Sequence, residues 1–353
     1  MVNLWRKTAG LLVCIAVLIN IAAWLPPAEA GIFTMSTKSE IELGRSTARQ
    51  IEKQVGLVQD SALQERVARI GYRMAALSDR PDMPYTFKVL DSKEINAFAL
   101  PGGFIYVYKG LIDYLSSDEE LAGVIGHELG HVVRRHTVKQ IEKSQELGIA
   151  ALLLGGGRDG GFLEEIAMNA IMAGYSRGDE READQLGFVH TMRAGYNPYG
   201  MLVGLQRLGD MSPDSNFDLF ADHPEPDVRV KLMKGYMADA KIHPQVVLSG
   251  TAAQIIDSGL SLPPLYATYK GYKPIYRAEL AAGALYLLTK MPDFSGDHFI
   301  VEGNGTFVTI FYDDRPIIML TPQDAGANKT TLDDLATQYV NALKDWANTI
   351  PKS

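Results

Sequence analysis

Apolar residues recur at helical spacing through most of residues 39–241, and this pattern predicts a mainly α-helical region. The helices that it predicts span 39–55, 63–77, 118–145, 162–175, 179–194, 199–208 and 227–241. Between the second and third helices, residues 85–90 alternate between apolar and polar positions, and 95–100 and 104–108 are two further short, mostly apolar stretches on either side of Pro101-Gly102-Gly103. These stretches predict three short strands, so the region combines many helices with one small β-sheet.

The pattern changes after His243-Pro244. Short β-rich stretches at 299–302, 307–312 and 317–321 are mixed with helical patterns at 280–289 and 332–348. We therefore predict an α+β fold in two domains, a larger helical one over 31–245 and a small α+β accessory domain over 246–353. The accessory domain has a single histidine, His298, and no catalytic set of residues.

The first thirty residues have the pattern of an export signal. Basic residues at 6–7 precede an apolar run over 9–25, and Ala28-Glu29-Ala30 places small residues at the two positions that a signal peptidase reads. We predict that 1–30 is a signal peptide, cleaved before Gly31. The alternative is an uncleaved anchor, because about seventeen mostly apolar residues lie at the lower limit for a membrane span.

Composition narrows the class of protein. The chain has 353 residues, of which 46% are hydrophobic, and a formal net charge of −8. Binding of nucleic acid through a basic surface needs clustered Lys and Arg, so this class is excluded. The only cysteine, Cys14, lies in the signal segment. The exported part therefore has no disulfide, no thiolate metal ligand and no cysteine nucleophile.

The strongest chemical signal is His127-Glu128-Leu129-Gly130-His131, within the predicted helix 118–145. Helical residues four positions apart are separated by about 40° around the axis, so His127 and His131 project from one face. Neutral imidazole nitrogens in this arrangement suit Zn²⁺. Glu128 lies about 100° from His127, close to such a metal but off its axis. There it can take a proton from metal-bound water and return it to a leaving amine.

A catalytic zinc needs three protein ligands, and without cysteine the third must be His, Asp or Glu. Glu180-Arg181-Glu182-Ala183-Asp184 is an acidic helical cluster downstream. Glu180 and Asp184 share a helix face, which suits a metal ligand and a carboxylate that binds the far nitrogen of a ligand histidine. We predict these roles for Glu180 and Asp184. Glu182 is the alternative ligand and is otherwise expected to be solvated.

The chain resembles the gluzincin metallopeptidases of the HtpX, BepA and CAAX-prenyl-protease group over residues 40–234. The motifs that carry this resemblance, in family order, are Asn96-Ala97-Phe98-Ala99-Leu100-Pro101-Gly102-Gly103, Glu120-Leu121-Ala122 before the His127–His131 motif, Arg135-His136, Ser176-Arg177 with Glu180 through Asp184, and His223-Pro224 followed by Arg229. The resemblance implies a zincin-type, mainly α-helical catalytic domain, one zinc ion per chain and endopeptidase activity. It also gives Glu180 as the third ligand. HtpX-like members have several membrane spans, and the chain without its signal segment looks like the exported, BepA-like branch instead.

Three further residues have predicted roles. His223 lies in a Pro-rich loop, and we expect it at the metal, where it donates to the developing oxyanion or occupies the open coordination position until the loop moves. The alternative is a histidine that only stabilises the loop. Arg229 is expected to pair with an acid or to steady that loop. His136 is five residues beyond His131, off the ligand face, and is expected to be structural.

The predicted strand 96–100 is a candidate for substrate binding. Beside 104–108 it is expected to present an exposed edge near the zinc, where Asn96, Ala97, Phe98 and Ala99 pair with an extended peptide by β-augmentation. Such pairing reads the peptide backbone and gives broad specificity. The glycine-rich connector 155–161 is either a lid above the cleft or an ordinary loop.

The sequence thus predicts an exported, zinc-dependent endopeptidase that hydrolyses misfolded or envelope proteins, with Glu128 activating a zinc-bound water. Its partner is an unfolded or envelope polypeptide, and the C-terminal domain is expected to dock a membrane or an envelope partner. Export implies the periplasm or another extracytoplasmic space. The alternative from another class is a chaperone-like or adaptor protein whose zinc site is closed by His223.

Overall fold

The computed structural model describes residues 34–115, 117–143, 174–211, 226–303 and 305–350. The N-terminal region is mainly helical with one small sheet, as predicted. Its elements are α1 (Thr37–Val55), α2 (Ser61–Ala75), β1 (Thr86–Leu90), β2 (Ala97–Leu100), β3 (Phe104–Tyr108), α3 (Lys109–Tyr114), α4 (Asp118–Arg134), α5 (Arg177–Arg193), α6 (Gly200–Gly209) and α7 (Pro226–Asp239). Residues 136–143 form a further helical segment.

The C-terminal region is α+β, with two three-stranded antiparallel sheets in the orders β4-β5-β6 and β7-β8-β9. Its elements are β4 (Gln245–Ser249), β5 (Ala252–Asp257), β6 (Leu260–Ser261), α8 (Pro274–Leu288), a short 3-10 turn (Gly296–His298), β7 (Phe299–Gly303), β8 (Val308–Tyr312), β9 (Arg315–Leu320), α9 (Pro322–Ala327) and α10 (Leu332–Ala347). In the described ranges, no helix is both long enough and apolar enough to cross a bilayer. The α+β fold class is confirmed.

The N-terminal sheet forms one wall of the first core. β3 is its central strand, paired in parallel with β1 and antiparallel with β2. Helix α2 packs against β1, and α4 packs against β2. Ile70, Ile105 and Ile125, one from each layer, are fully buried between these elements. The other sides of α4 contact α5 and α6, so α4 lies at the centre of the region.

The predicted single helix over 118–145 is wrong, because α4 ends at Arg134 and the chain turns at Arg135. Arg135 adopts a left-handed conformation with φ 58°, and its N–H bonds back to the carbonyls of His131 and Val132. Its guanidinium donates to Glu40 at 3.0 Å. A left-handed residue other than Gly gives little sequence signal for a helix end, which explains the error.

The C-terminal region shares a continuous hydrophobic cluster with the helical region. Leu202 of α6 and Met233 of α7 belong to the same cluster as Ile255, Ala282 and Trp346 of the C-terminal elements. Strand β4 begins at residue 245, next to the predicted boundary, and the division into two domains stays a prediction. Strands β4 to β6 have no counterpart in the predicted elements. In β4, most residues are exposed and show no alternation of burial, so this strand leaves little signal in the sequence.

Candidate metal centre

His127 and His131 lie one turn apart on α4. The helix begins after Ser117, whose side chain accepts a hydrogen bond from the Glu120 N–H. The helical repeat brings both imidazoles to the same side, and both are buried, with 4% and 1% exposure. Their Nε2 atoms are 3.0 Å apart. The two Nε2 atoms are therefore close enough to bind one metal ion.

Close packing of α4 against α5 brings an acidic residue to the histidine pair. A Cβ atom on Gly130 would lie 2.8 Å from the carbonyl oxygen of Ala183. A Cβ on Gly187 would lie 2.8 Å from the backbone nitrogen of His127. Real side chains do not tolerate such distances, so glycine at both positions allows the two helix backbones to approach.

Glu180 lies in the first turn of α5, immediately after a capping box formed by Ser176 and Asp179. It is buried, with 2% exposure. Its Oε1 atom is 3.4 Å from Nε2 of His131, and its Oε2 atom is 3.5 Å from Nε2 of His127. The structure thus brings together the three residues predicted as metal ligands, although they are separated by about fifty residues of sequence.

The chemistry and spacing of these three side chains fit a zinc ion. A tetrahedral ion with Zn–N distances of about 2.0–2.1 Å places its ligand atoms about 3.3 Å apart. The atoms of His127, His131 and Glu180 that face one another are 3.0–3.5 Å apart. In the part of the chain that the structure describes, these three side chains place their ligand atoms close enough together to hold a metal. No fourth His, Cys, Asp or Glu of that part belongs to the group. Three ligands with one open position are typical of a catalytic zinc site.

Asp184 contacts the far nitrogen of His127, as its position one turn after Glu180 predicts. Its Oδ1 atom is 2.8 Å from Nδ1 of His127, and its side chain is fully buried. Burial lowers the pKa of His127, and the charge of Arg229 acts in the same direction. A neutral His127 that donates from Nδ1 to Asp184 directs the lone pair of Nε2 towards Glu180.

Arg229 of α7 contacts the carboxylates of both Asp184 and Glu180. Its Nε and Nη2 atoms donate to Asp184 at 2.9 and 2.7 Å, and Nη1 is 3.4 Å from Glu180. Burial alone would raise the pKa of Asp184, but the charge of Arg229 and hydrogen bonds from His127 and Arg229 lower it well below its usual range. The predicted pairing of Arg229 with an acid is confirmed, and the structure identifies its partners.

Glu128 is buried beside the histidine pair, with 1% exposure. Together with His127 and Arg229 it lines a cavity of about 30 Å³, whose other walls are mostly apolar. A single water needs only about 10–15 Å³ of such volume, so the space beside this carboxylate can hold water. The position of Glu128 is compatible with the acid–base role predicted for it, which stays a prediction.

Two residues contact His131 that sequence analysis did not connect with the metal. Nδ1 of His136 is 2.9 Å from Nδ1 of His131, and the ring of Tyr175 stacks on His131 with 3.8 Å between centroids. Nε2 of His136 is 3.1 Å from Glu182, which also pairs with Arg134 at 2.9 Å. Glu182, the alternative ligand, thus lies outside the metal-binding group and is 40% exposed at its side chain.

The predicted substrate strand is more buried than expected. β2 is indeed an edge strand, and α4 packs against it. Asn96, Ala97, Phe98 and Ala99 are nevertheless at most 9% exposed. The expected open edge is therefore wrong for this conformation, because α1 and α4 both pack against the strand. Whether these residues bind substrate stays a prediction.

Several predicted features lie outside the described residues. They are the signal peptide with Cys14, the connector 155–161, most of the helix 162–175, and His223 with its loop. The role predicted for His223 at the metal stays a prediction.

The arrangement on α4 and α5 is that of a metal-dependent hydrolase. The model of Peptidase family M48 matches residues 61–237, half of the chain, and the chain belongs to this family. A second family model, Domain of unknown function (DUF8459), matches residues 255–349. The two matches are separated near residue 245, where β4 begins.

Curated relatives carry protease names. The chain is 30% identical over 227 residues to the beta-barrel assembly-enhancing protease of Yersinia pestis. The aligned part is 60% of this chain and 46% of that protein. It is 31% identical over 181 residues to the mitochondrial metalloendopeptidase OMA1 of Arabidopsis thaliana, covering 51% and 37%. It is 27% identical over 231 residues to metalloprotease YcaL of Escherichia coli, covering 62% and 84%. The chain thus spans less than half of the first two relatives.

Proposed function

We propose that this protein is a zinc-dependent endopeptidase that hydrolyses misfolded or envelope polypeptides. The observation that supports the proposal best is the convergence of His127, His131 and Glu180 on one point, with Glu128 buried beside it. Family membership and the protease names of the relatives agree with this chemistry. The protein would bind one zinc ion per chain.

Zinc at this centre would polarise the scissile carbonyl and lower the pKa of the attacking water. Glu128 takes the proton of that water and delivers it to the leaving amine, because its carboxylate lies beside a cavity able to hold water. Asp184 keeps the His127 ring in the orientation that directs Nε2 to the ion. Arg229 neutralises the charge that two buried carboxylates concentrate beside the ion.

The substrate class and location are inferred from the relatives and from the sequence. The name of the Yersinia relative refers to β-barrel assembly, a process of envelope proteins, and supports an envelope substrate for this chain. An extracytoplasmic location rests on the export pattern in residues 1–30. The C-terminal region would contact the membrane or an envelope partner.

The proposal is tested with the purified full-length chain, loaded with zinc and incubated with unfolded casein. We expect cleavage by the wild type and a loss of about 10²–10⁴-fold in Glu128→Gln, because the general base is removed. Zinc content should stay near one per chain in this variant. Glu65→Gln, an exposed substitution of the same type on α2, is the matched control and should cleave normally.

A zinc-loaded wild type that binds casein without cutting it would contradict the proposal. It would favour the chaperone-like alternative with a closed site. Normal cleavage by Glu128→Gln would remove the acid–base role instead.

A further inference from the structure

His131 has a buried neighbour at the nitrogen that faces away from the metal centre. Nδ1 of His136 lies 2.9 Å from Nδ1 of His131, and His136 is only 1% exposed. We propose that His136 is a positioning residue, which accepts the Nδ1 proton of His131 in a hydrogen bond and thereby fixes His131 in its metal-binding form. The inference rests on the proposed zinc site and goes beyond it by assigning a role to a residue outside the ligand set.

The tautomers follow from the positions of the ring nitrogens. Nε2 of His131 faces Nε2 of His127 and the Glu180 carboxylate, so it is the nitrogen available to a metal. It must carry a lone pair for that purpose, and the proton of a neutral His131 then lies on Nδ1. Two nitrogens 2.9 Å apart form a hydrogen bond only if one donates and the other accepts. Nδ1 of His136 is therefore the acceptor.

Acidic neighbours hold His136 in the complementary tautomer. With Nδ1 as acceptor, its remaining proton lies on Nε2. Nε2 is 3.1 Å from Oε2 of Glu182 and 3.5 Å from Oδ1 of Asp179. Both carboxylates are acceptors, so the chain of donors runs from His131 to His136 and on to these acids. The opposite order would leave a proton on Nε2 of His131, where the metal binds.

The turn at Arg135 makes this contact possible. On a continuous α4, a residue five positions after His131 would lie about 140° around the axis from it. The left-handed Arg135 ends the helix, and Glu40 and the carbonyl oxygen of Met35 accept hydrogen bonds from its guanidinium at 3.0 and 2.5 Å. His136 begins the next helical segment beside His131. The ring of Tyr175 covers the face of His131 and limits its rotation.

The histidine pair at the metal thus has two different outer partners. Asp184 contacts His127 through a carboxylate, whereas His136 contacts His131 through an imidazole. Outer partners of metal-binding histidines fix the ring orientation, and their loss lowers metal affinity by about 10–100-fold. We expect a loss in that range when His136 is replaced by a side chain without an acceptor.

The test compares zinc affinities of the full-length chain, measured by competition with a chromophoric chelator, for wild type, His136→Ala and His136→Asn. Asn places its Oδ1 where His places Nδ1, so it can accept from His131. We expect His136→Ala to bind zinc about 10–100-fold more weakly, and His136→Asn to recover most of that loss. The visible spectrum of the Co²⁺-loaded protein should change in the Ala variant and return towards wild type in Asn.

A buried histidine on α5 provides the control for general destabilisation. His190 is fully buried, and neither ring nitrogen has a hydrogen-bond partner among the described residues. His190→Ala should lower the midpoint of urea unfolding while zinc affinity stays unchanged. If His136→Ala unfolds outright, the Asn variant alone decides the result, because an acceptor at Oδ1 should preserve wild-type affinity.

The outcomes separate this inference from the proposed function. A wild type that binds no zinc would overturn both. A wild type that binds zinc, with His136→Ala binding it equally tightly, would overturn the positioning role alone. Equal affinity losses in the Ala and Asn variants would also overturn it, because the acceptor would then be irrelevant.

Discussion

Arg229 and Asp184 form a buried, two-pronged ion pair, with hydrogen bonds of 2.9 and 2.7 Å from the guanidinium to the two carboxylate oxygens. The residues lie on α7 and α5, and their exposures are 6% and 0%. Asp184 in turn contacts His127. The pair therefore connects α7, across α5, to the metal-binding face of α4.

We predict that Arg229→Ala destabilises the metal-free protein by about 3–5 kcal/mol, because it leaves Asp184 and Glu180 buried without their cation. Zinc restores positive charge beside both carboxylates, so the loss should be smaller in the metal-loaded form. Urea unfolding with excess chelator and with saturating zinc measures the two values.

Arg229→Lys is the matched control, because it keeps the charge but cannot form two parallel hydrogen bonds with Asp184. In excess chelator, the free energy of unfolding of Arg229→Lys should lie between those of wild type and Arg229→Ala. Equal destabilisation of Arg229→Ala with and without zinc would contradict the electrostatic explanation and indicate lost packing instead.

The identity of the third ligand can be tested with two glutamates on one helix. Glu180 faces both Nε2 atoms of the histidine pair, whereas Glu182 contacts Arg134 and His136. We predict that Glu180→Gln lowers zinc content well below one per chain after dialysis, because a neutral amide is a poor zinc ligand. Glu182→Gln should keep close to the full content. Elemental analysis of both variants measures this, and the reverse result would transfer the ligand role to Glu182.

Local helical geometry explains how much of the centre could be predicted from sequence. His127 and His131 share a face by their spacing alone, and Glu180 and Asp184 do so on their own helix. These relationships need no knowledge of packing. The distance between the two helices could not be read in the same way, because it depends on glycines of both helices meeting backbone atoms of the partner.

The contact of His136 with His131 and the burial of strand β2 could not be predicted from local patterns. The prediction for His136 assumed a continuous helix, and the left-handed Arg135 invalidates that assumption. The exposure of β2 was inferred from its place at the sheet edge, whereas the covering helices are set by tertiary packing. The contacts of Arg229 likewise join residues 45 positions apart, for which no short-range pattern exists.

Stability should depend on pH through Glu279 of α8. Its carboxyl is 2% exposed, and burial raises its pKa to about 7 from an ordinary value of 4.5, despite a hydrogen bond from Gln206. Between these two values the folded state binds more protons than the unfolded state, so this group's contribution to stability falls as pH rises. One pKa unit corresponds to about 1.4 kcal/mol, so the stability that is lost between pH 4.5 and pH 7 adds up to about 3 kcal/mol.

Glu279→Gln removes that titration. We predict that the variant is more stable than wild type at pH 8 by up to about 3 kcal/mol, and that the difference shrinks towards zero near pH 4.5. Urea unfolding of both proteins across this range measures the difference and cancels contributions from other groups. A difference that does not vary with pH would contradict the assignment.

The last prediction concerns Asp324, which organises the C-terminal region. Its carboxylate is fully buried, and Oδ1 accepts from the N–H groups of Tyr266 and Ala267 at 2.8 and 2.9 Å, while Arg277 of α8 donates to Oδ2 at 2.8 Å. Burial alone would raise the pKa of Asp324, but hydrogen bonds from Arg277 and its charge lower it. The carboxylate is therefore charged, and it provides the counter-charge for the buried guanidinium of Arg277.

Asp324→Asn should destabilise the protein by about 3–5 kcal/mol, because it leaves the Arg277 guanidinium buried without a counter-charge. The double variant Asp324→Asn with Arg277→Met removes both charges and should recover part of the loss. Zinc affinity should be unchanged in both variants, since neither side chain contacts a residue of the metal centre among the residues that the structure describes. Urea unfolding and the chelator competition measure the two properties. The single variant Arg277→Met completes the comparison: a destabilisation of the double variant equal to the sum of those of the two single variants would show that the residues act independently, contrary to the ion pair.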